Sequence, residues 1–375
     1  MNLPPFLLGQ WLEQKHSANP PVEYDLGSST GPVWTLRELL SLGGDIEQLL
    51  DTKLFYMPSH GSPALRAALA GMVGVEPEEI LLATGGAEAL LILFHLAAGP
   101  GANVVLPNPG FPANDAIAQS FGLETRHYTL RAENHFQVDV EEIERLVDRA
   151  TRLVLVNSPH NPTGAVLSEA QMRRLHDFCA ERRVQFVSDE VYHPIYHGPA
   201  GTSASRLPRA TAIGDFSKAL CLSGLRIGWI VEHDPARREQ FLNARNYFTA
   251  SSAAPCEYLA AIAVTQHETI YERARSVAGK NLGLLDGFFD EHRDHLSWVR
   301  PAGGMTGFPK LNNGGDGRRF CRELLRRGLL LAPGDCFGMP AHFRIGFAAS
   351  GETFARALEK FSDLLKDAKT LGQPA

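Results

Sequence analysis

Between residues 79 and 231 short apolar runs rich in β-branched residues alternate with longer segments whose apolar positions recur at helical spacing. The runs are EILLAT, NVVLP, ETRHYTL, RLVLVN, VQFVSD, TAIGDF and RIGWIV, each the length of a buried strand. Helical periodicity marks AEALLILFHLAAG, VDVEEIERLVDRA and SEAQMRRLHDFCAERR, the last opening on Ser168 as a cap. Strands alternating with helices predict an α/β fold whose large domain holds a mainly parallel seven-stranded sheet flanked by helices.

Past residue 255 the pattern changes to a long helical stretch, then LSWVRPAGGMTGFPKL, the helix-like RRFCRELLRRG, HFRIGFA and a final amphipathic helix. This predicts a smaller α+β domain. The opening MNLPPFLLGQWLEQKH carries a short apolar patch and reads as a packed arm of that domain, so both chain ends build it. The expected boundaries are 46–282 for the large domain and 1–45 plus 283–375 for the small one. NNGGDG at 312–317 is a turn by composition.

With 36 basic and 42 acidic residues among 375, the net charge of -6 gives no pull toward nucleic acid or anionic lipid. Neither is an expected partner, and any bound phosphate has to be met by local groups. Five scattered cysteines with no CxxC pair point to a reducing, cytoplasmic setting without a zinc ribbon. No run approaches the length that spans a bilayer, and the start has no basic leader. Among 14 histidines the nearest pair, His193 and His197, is interrupted by Pro194, so no metal site is expected. The nucleotide motifs GxGxxG after a strand and GxxxxGK[ST] are absent.

In open parallel sheets ligands collect at the carboxyl ends of strands, which singles out GGAE, PNPGFP, NSPHNPTG, DEVY and FSK. Gly85, Gly86 and Ala87 end a strand and open a helix, a turn that presents N–H groups to a phosphate and also serves simple chain reversal. Phe111, between prolines, either stacks on a planar ligand or fills core. Asp189 closes an apolar strand, where an unpaired carboxylate is costly, so it needs a cation such as a protonated ring nitrogen. Asn161 and Tyr192 offer hydrogen-bond donors for a phenolate oxygen, although HNPTG is also a turn sequence. Lys218, between a strand and the run ending in Arg226, is either a solvated surface lysine or a reactive amine.

The series FYMPSHGSPALRAAL, TGGAEAL, LPNPGFP, NSPHNPTG, VSDEVY, FSKALCLSGLRIGW, PAGGM, LLLAPGDCFG and HFRIGFA resembles, in order, the class I and II aminotransferases, pyridoxal-phosphate enzymes of fold type I. The likeness runs from about residue 24 nearly to the end. It implies that Lys218 forms the internal aldimine and moves the proton, that Asp189 keeps the pyridine nitrogen protonated, and that Asn161 and Tyr192 meet the phenolic oxygen. Lys218, Asp189 and Tyr192 are then the catalytic set, with Phe111 stacked on the ring. It further implies that Gly86, Ala87, Ser217 and Arg226, with Gly85 in the same turn, hold the phosphate. Arg344, with Asn161, binds the substrate carboxylate through a two-pronged contact. Tyr56 reaches the phosphate from the neighbouring subunit of a homodimer.

The lysine amine has to be unprotonated to attack a carbonyl, and burial beside cations lowers a lysine's pKa in that direction. One position departs from the family. Asp215 stands where many relatives carry Ser or Thr against the phosphate, and a carboxylate there is repulsive, so it is expected to turn away or to pair with Arg226. Arg245 belongs to a segment that lies near the active-site mouth in relatives, which makes it a candidate for substrate contact. DLGSSTG and RNYFT are similar to members that act on arginine-like amino acids by elimination and cyclisation. The function implied is a ping-pong exchange of an amino group between an L-amino acid and a 2-oxo acid. The alternatives are a lyase or cyclase working by β- or γ-elimination, and a non-catalytic sensor that binds the cofactor.

Overall fold

The seven apolar runs pair into one sheet in the computed structural model, which describes residues 3–349 and 351–366. The small-domain residues outside these ranges, including 367–375, lie outside the described residues. The strands are β1 (Ile80–Ala83), β2 (Asn103–Asn108), β3 (Glu124–Thr129), β4 (Thr151–Asn157), β5 (Gln185–Asp189), β6 (Ala210–Asp215) and β7 (Gly228–Glu232). They lie in the order β1-β7-β6-β5-β4-β2-β3. Only β7 runs against its neighbours, so β1 to β6 all end at the same edge.

Continuous apolar strands form here because both faces of the sheet are covered, and the two-residue period sends alternate side chains to different cores. Leu81, Val104, Leu155 and Val187 pack with Leu93 and Phe94 of the Gly86–Ala97 helix on one face. Val105, Val154, Val156 and Phe186 pack with Met172 and Leu175 of the Glu169–Arg182 helix on the other. Ser168 caps that helix in a reciprocal box with Gln171.

Three predicted elements end or start differently. The helix expected over VDVEEIERLVDRA is confined to Val140–Leu146, because Asp148 Oδ1 accepts the Ala150 N–H at 2.8 Å and turns the chain toward β4. The long helical stretch breaks at Gln266 into Ala254–Thr265 and His267–Glu291. RIGWIV becomes a strand only from Gly228, since Arg226 sits in the left-handed region (φ 54°).

The two chain ends join in a second layer. Tyr24–Asp25 pairs in parallel with Leu329–Leu330, while Phe343–Gly346 lies antiparallel between Thr306–Gly307 and Ala332–Pro333. Trp11 of the Leu7–Glu13 helix is buried and donates to the Leu331 carbonyl at 2.6 Å, which fixes the N-terminal arm. The Gly346 N–H donates to Leu26 O at 2.7 Å, so the segment after Leu26 is held against the Phe343–Gly346 strand. Among the described residues no helix is long and apolar enough to cross a membrane.

A methyl group on Gly346 would overlap the Ser28 carbonyl oxygen. Overpacking of this kind costs about 1–3 kcal/mol. Gly346→Ala is therefore expected to lower the urea midpoint of unfolding by the equivalent of about 2 kcal/mol, and an unchanged midpoint would show that the 26–28 segment does not need this close approach.

Candidate active site

The strand ends that share one edge surround a cavity of about 320 Å3. Gly86, Ala87, Phe111, Asn161, Asp189, Tyr192, Ser217, Lys218, Arg226 and Arg344 all line it. Gly85 lies immediately behind the wall, at φ 77°, and does not line the cavity. Tyr56 is not among the lining residues either, being 77% exposed on a loop. Phe6, Leu8 and Leu12 of the N-terminal arm cover one side, and Phe6 meets Phe111 edge to face at 6.1 Å. A larger cavity of about 540 Å3 contains none of these groups, and two of the polar side chains that line it are bonded within the wall: Glu190 accepts the Ala204 N–H at 2.6 Å, and His193 bonds Tyr196 at 2.6 Å.

Asp189 ends β5 beside Asn157 in register. It is buried, and no cation pairs with it among the described residues. Burial pushes its carboxyl up to about 7, against the opposing pull of the Val191 N–H, which donates to Oδ1 at 3.2 Å. A carboxylate held this way lacks a cationic partner.

Lys218 follows β6 by three residues and is half-buried, with Nζ donating to Ser29 Oγ at 2.8 Å. Its ammonium lies 5.9 Å from the centre of the Tyr192 ring, and the Tyr192 hydroxyl donates to the Ser29 carbonyl at 3.2 Å. Ser29 therefore touches both side chains. Strand-end reasoning missed it because it arrives from the segment after Tyr24–Asp25; the DLGSSTG motif was its only sequence signal.

At the other end of the cavity Gly86 opens the Gly86–Ala97 helix. A Cβ on Gly228 would fall 2.6 Å from the Gly85 carbonyl carbon and 2.8 Å from Gly86 N, so β7 approaches this turn as closely as it does only because Gly228 has no side chain. Arg226 Nη1 donates to Ser217 Oγ at 3.1 Å and to Ser223 O at 3.0 Å. Asp215 neither turns away nor pairs with Arg226, as the sequence had led us to expect. Its Oδ2 accepts the Gly86 N–H at 2.5 Å, and its Oδ1 accepts the Ser217 N–H. The physical reason is local: helix-opening N–H groups lack intrahelical partners, and a carboxylate at the end of the adjacent strand reaches them with no rearrangement.

Arg344 is buried in the Phe343–Gly346 strand. Nη1 donates to Asn161 Oδ1 at 3.0 Å and Nη2 to Gly27 O at 2.8 Å, while Nε has no partner. No carboxylate pairs with this guanidinium among the described residues, and burial pushes its pKa down. Arg245, a candidate for substrate contact, is instead fully buried away from the cavity. It donates to Ser59 O and, at 2.7 Å, to Ser252 Oγ, and lies 3.7 Å from Glu88. Glu88 also accepts from Thr84 N and Thr249 Oγ1, both at 2.5 Å, so Arg245 ties together elements behind the site.

The cavity thus combines an amine and a buried carboxylate at the carboxyl edge of the main sheet with a buried guanidinium from the second layer, neither of the last two in an ion pair among the described residues. The family profile for aminotransferase class I and II matches residues 24–361. Capreomycidine synthase of Streptomyces vinaceus is 30% identical over 370 residues, covering 97% of this chain and 94% of that protein. The crystal structure of a PLP-dependent aminotransferase from Streptococcus suis superposes with a TM-score of 0.90 at 30% identity over 98% of both chains. That of the PLP-dependent cyclase OrfR gives 0.89 at 25% identity, again over 98% of both. The chain thus belongs to the class I and II aminotransferase family, has the fold type I architecture, and takes pyridoxal phosphate as its cofactor.

Proposed function

We propose that the protein transfers an amino group between an L-amino acid and a 2-oxo acid, in two half-reactions at the 320 Å3 cavity. The observation that carries this reading is the pair of buried ionisable groups without ion-pair partners, Asp189 and Arg344, lining the same cavity as the Lys218 amine. The cofactor fits those charges. A protonated pyridine nitrogen answers the need of Asp189 for a cation, and a substrate carboxylate answers that of Arg344.

Pyridoxal phosphate supplies an aldehyde that captures amines and a ring that accepts the electron pair released at the substrate's Cα. In this reading Lys218 holds the aldehyde, and once freed it carries the proton to and from Cα. Ser29 holds the Lys218 amine in place. Asp189 would keep the ring nitrogen charged, Tyr192 and the Asn161 amide nitrogen would donate toward the phenolic oxygen, and Phe111 would pack against the ring. Ala87, Ser217 and Arg226 hold the phosphate, with Gly85 and Gly86 shaping the turn. Arg344 grips the carboxylate in two prongs and so fixes which bond at Cα faces Lys218. Phe6, Leu8 and Leu12 exclude water above the site.

We also propose a homodimer with shared sites, divided into domains near residues 46–282 and 1–45 plus 283–375. Leu54, Phe55 and Tyr56 are 87%, 78% and 77% exposed, and Tyr247 83%, an apolar surface of the kind that is covered in an assembly. A second copy there would bring Tyr56 to its neighbour's phosphate end. All five cysteines are free thiols, which supports a reducing, cytoplasmic setting.

A second reading, elimination followed by cyclisation, is favoured by the likeness to capreomycidine synthase and to the cyclase OrfR. Both readings use the same Cα proton removal and part afterwards.

Incubation with single amino acids separates them: transamination is expected to convert the cofactor stoichiometrically to pyridoxamine phosphate with release of an oxo acid. Ammonia or a rearranged product formed without an acceptor would establish the second reading instead. Lys218→Ala is expected to lower turnover by at least about 10²–10⁴-fold and to abolish borohydride trapping of the cofactor; trapping that survives would remove Lys218 from its role. Because the folded Asp189 carboxyl is raised to about 7, its burial penalises the folded state increasingly as pH rises above the unfolded value, and fully above 7. Asp189→Asn is therefore expected to raise the melting temperature of cofactor-free protein at pH 8 more than at pH 5, and equal shifts would argue against an unpaired buried charge. Sedimentation is expected to give the mass of a dimer at micromolar concentration, and a monomer would end the shared-site proposal.

A further inference from the structure

We propose that Asp215 is a resident anion at the phosphate end of the cavity, and that it weakens the protein's preference for the phosphorylated over the unphosphorylated cofactor. The inference builds on the cofactor assignment above. Asp215 lines the cavity and is 7% exposed. Both its oxygens accept main-chain N–H groups, Oδ2 from Gly86 at 2.5 Å and Oδ1 from Ser217. Gly86 opens a helix of 12 residues, whose first N–H groups have no partners within the helix and carry its partial positive charge. These are the donors that an incoming phosphate uses at such a turn. One of them is already taken, and by a group of the same charge sign as the ligand.

The cation of this end remains available. Arg226 gives its hydrogen bonds to neutral oxygens of Ser217 and Ser223, and no ion pair joins it to Asp215 among the described residues. A Cβ on Gly85 would lie 2.5 Å from Arg226 Nη2 and 3.3 Å from Asp215 Oδ2, so guanidinium and carboxylate flank the same turn. A phosphate dianion bound there would have Arg226, Ser217 Oγ and the Ala87 N–H to attract it and the Asp215 carboxylate to repel it. The attraction that normally makes the phosphate the anchor of this cofactor is partly cancelled. The ring end feels Asp215 only weakly, through Asp189 at the end of the neighbouring strand, and that influence acts alike on both forms of the cofactor. Pyridoxal, which lacks the phosphate, is thus penalised less than it would be without Asp215.

The experiment compares cofactor-free wild type with Asp215→Asn and Asp215→Ser by equilibrium dialysis against pyridoxal phosphate and against pyridoxal. Asn keeps the shape and removes the charge, and Ser is the residue many relatives carry, so the two variants perturb folding differently. Removing the carboxylate is expected to tighten pyridoxal phosphate by about ten- to a hundredfold while pyridoxal changes by less than about twofold. The ratio of the two affinities therefore rises. A ratio that stays constant or falls in both variants overturns the proposal, as would an equal loss for both ligands, the signature of a carboxylate that only caps the helix. Dialysis reads binding with or without a covalent link. Failure of the Lys218 assignment, seen as no borohydride trapping in wild type, is therefore distinct from failure of this inference, seen as an unchanged ratio.

Discussion

Two opposite charges buried without mutual pairing govern the architecture. Asp189 ends a central strand of the main sheet, and Arg344 lies in the layer built from the two chain ends. Each is removed from water at a cost that hydrogen bonds from Val191 N–H, or to Asn161 and Gly27, only partly offset. They do not neutralise each other, and both line the same cavity. A ligand that is cationic where it meets Asp189 and anionic where it meets Arg344 relieves both, which makes binding energy available for orienting the reacting carbon.

The sheet topology explains why the chemistry gathers at one edge. Six strands, β1 to β6, end there, and β7, running the opposite way, begins there with Gly228 tucked under the Gly85–Gly86 turn. The turn, the strand-end carboxylates Asp189 and Asp215, and Lys218 are thereby held by backbone pairing rather than by flexible side chains. Closure of the site comes from elsewhere. Trp11, bonded to Leu331, holds the helix that lays Leu8 and Leu12 over the cavity, and the close approach of Gly346 to Ser28 delivers Ser29 to Lys218.

Asp215 shows how one substitution acts through a helix terminus. A neutral hydroxyl at that position leaves the Gly86 N–H to a ligand, whereas a carboxylate satisfies it from within the chain. The helix has its anion without any ligand, and in the proposal above a bound phosphate has to contend with it. Stability of the empty site and affinity for the phosphate are then set by the same two N–H groups.

From its sequence alone the chain determined its seven strands, their alternation with helices and the residues at their carboxyl ends, because two-residue and helical periods are local properties of neighbouring side chains. Lys218, Asp189, Asn161 and Phe111 were legible as lining candidates because each stands at or shortly after a strand's carboxyl end, and Arg226 because it closes the run that leads into β7. Boundaries at Val147, Gln266 and Gly228 were not, since they turn on single hydrogen bonds and backbone angles. Nor were Ser29, the arm residues Phe6, Leu8 and Leu12, the burial of Arg245 against Glu88, or the capture of Gly86 by Asp215. Those contacts join segments far apart in the chain, and only the packing of both chain ends onto the sheet brings them within bonding distance.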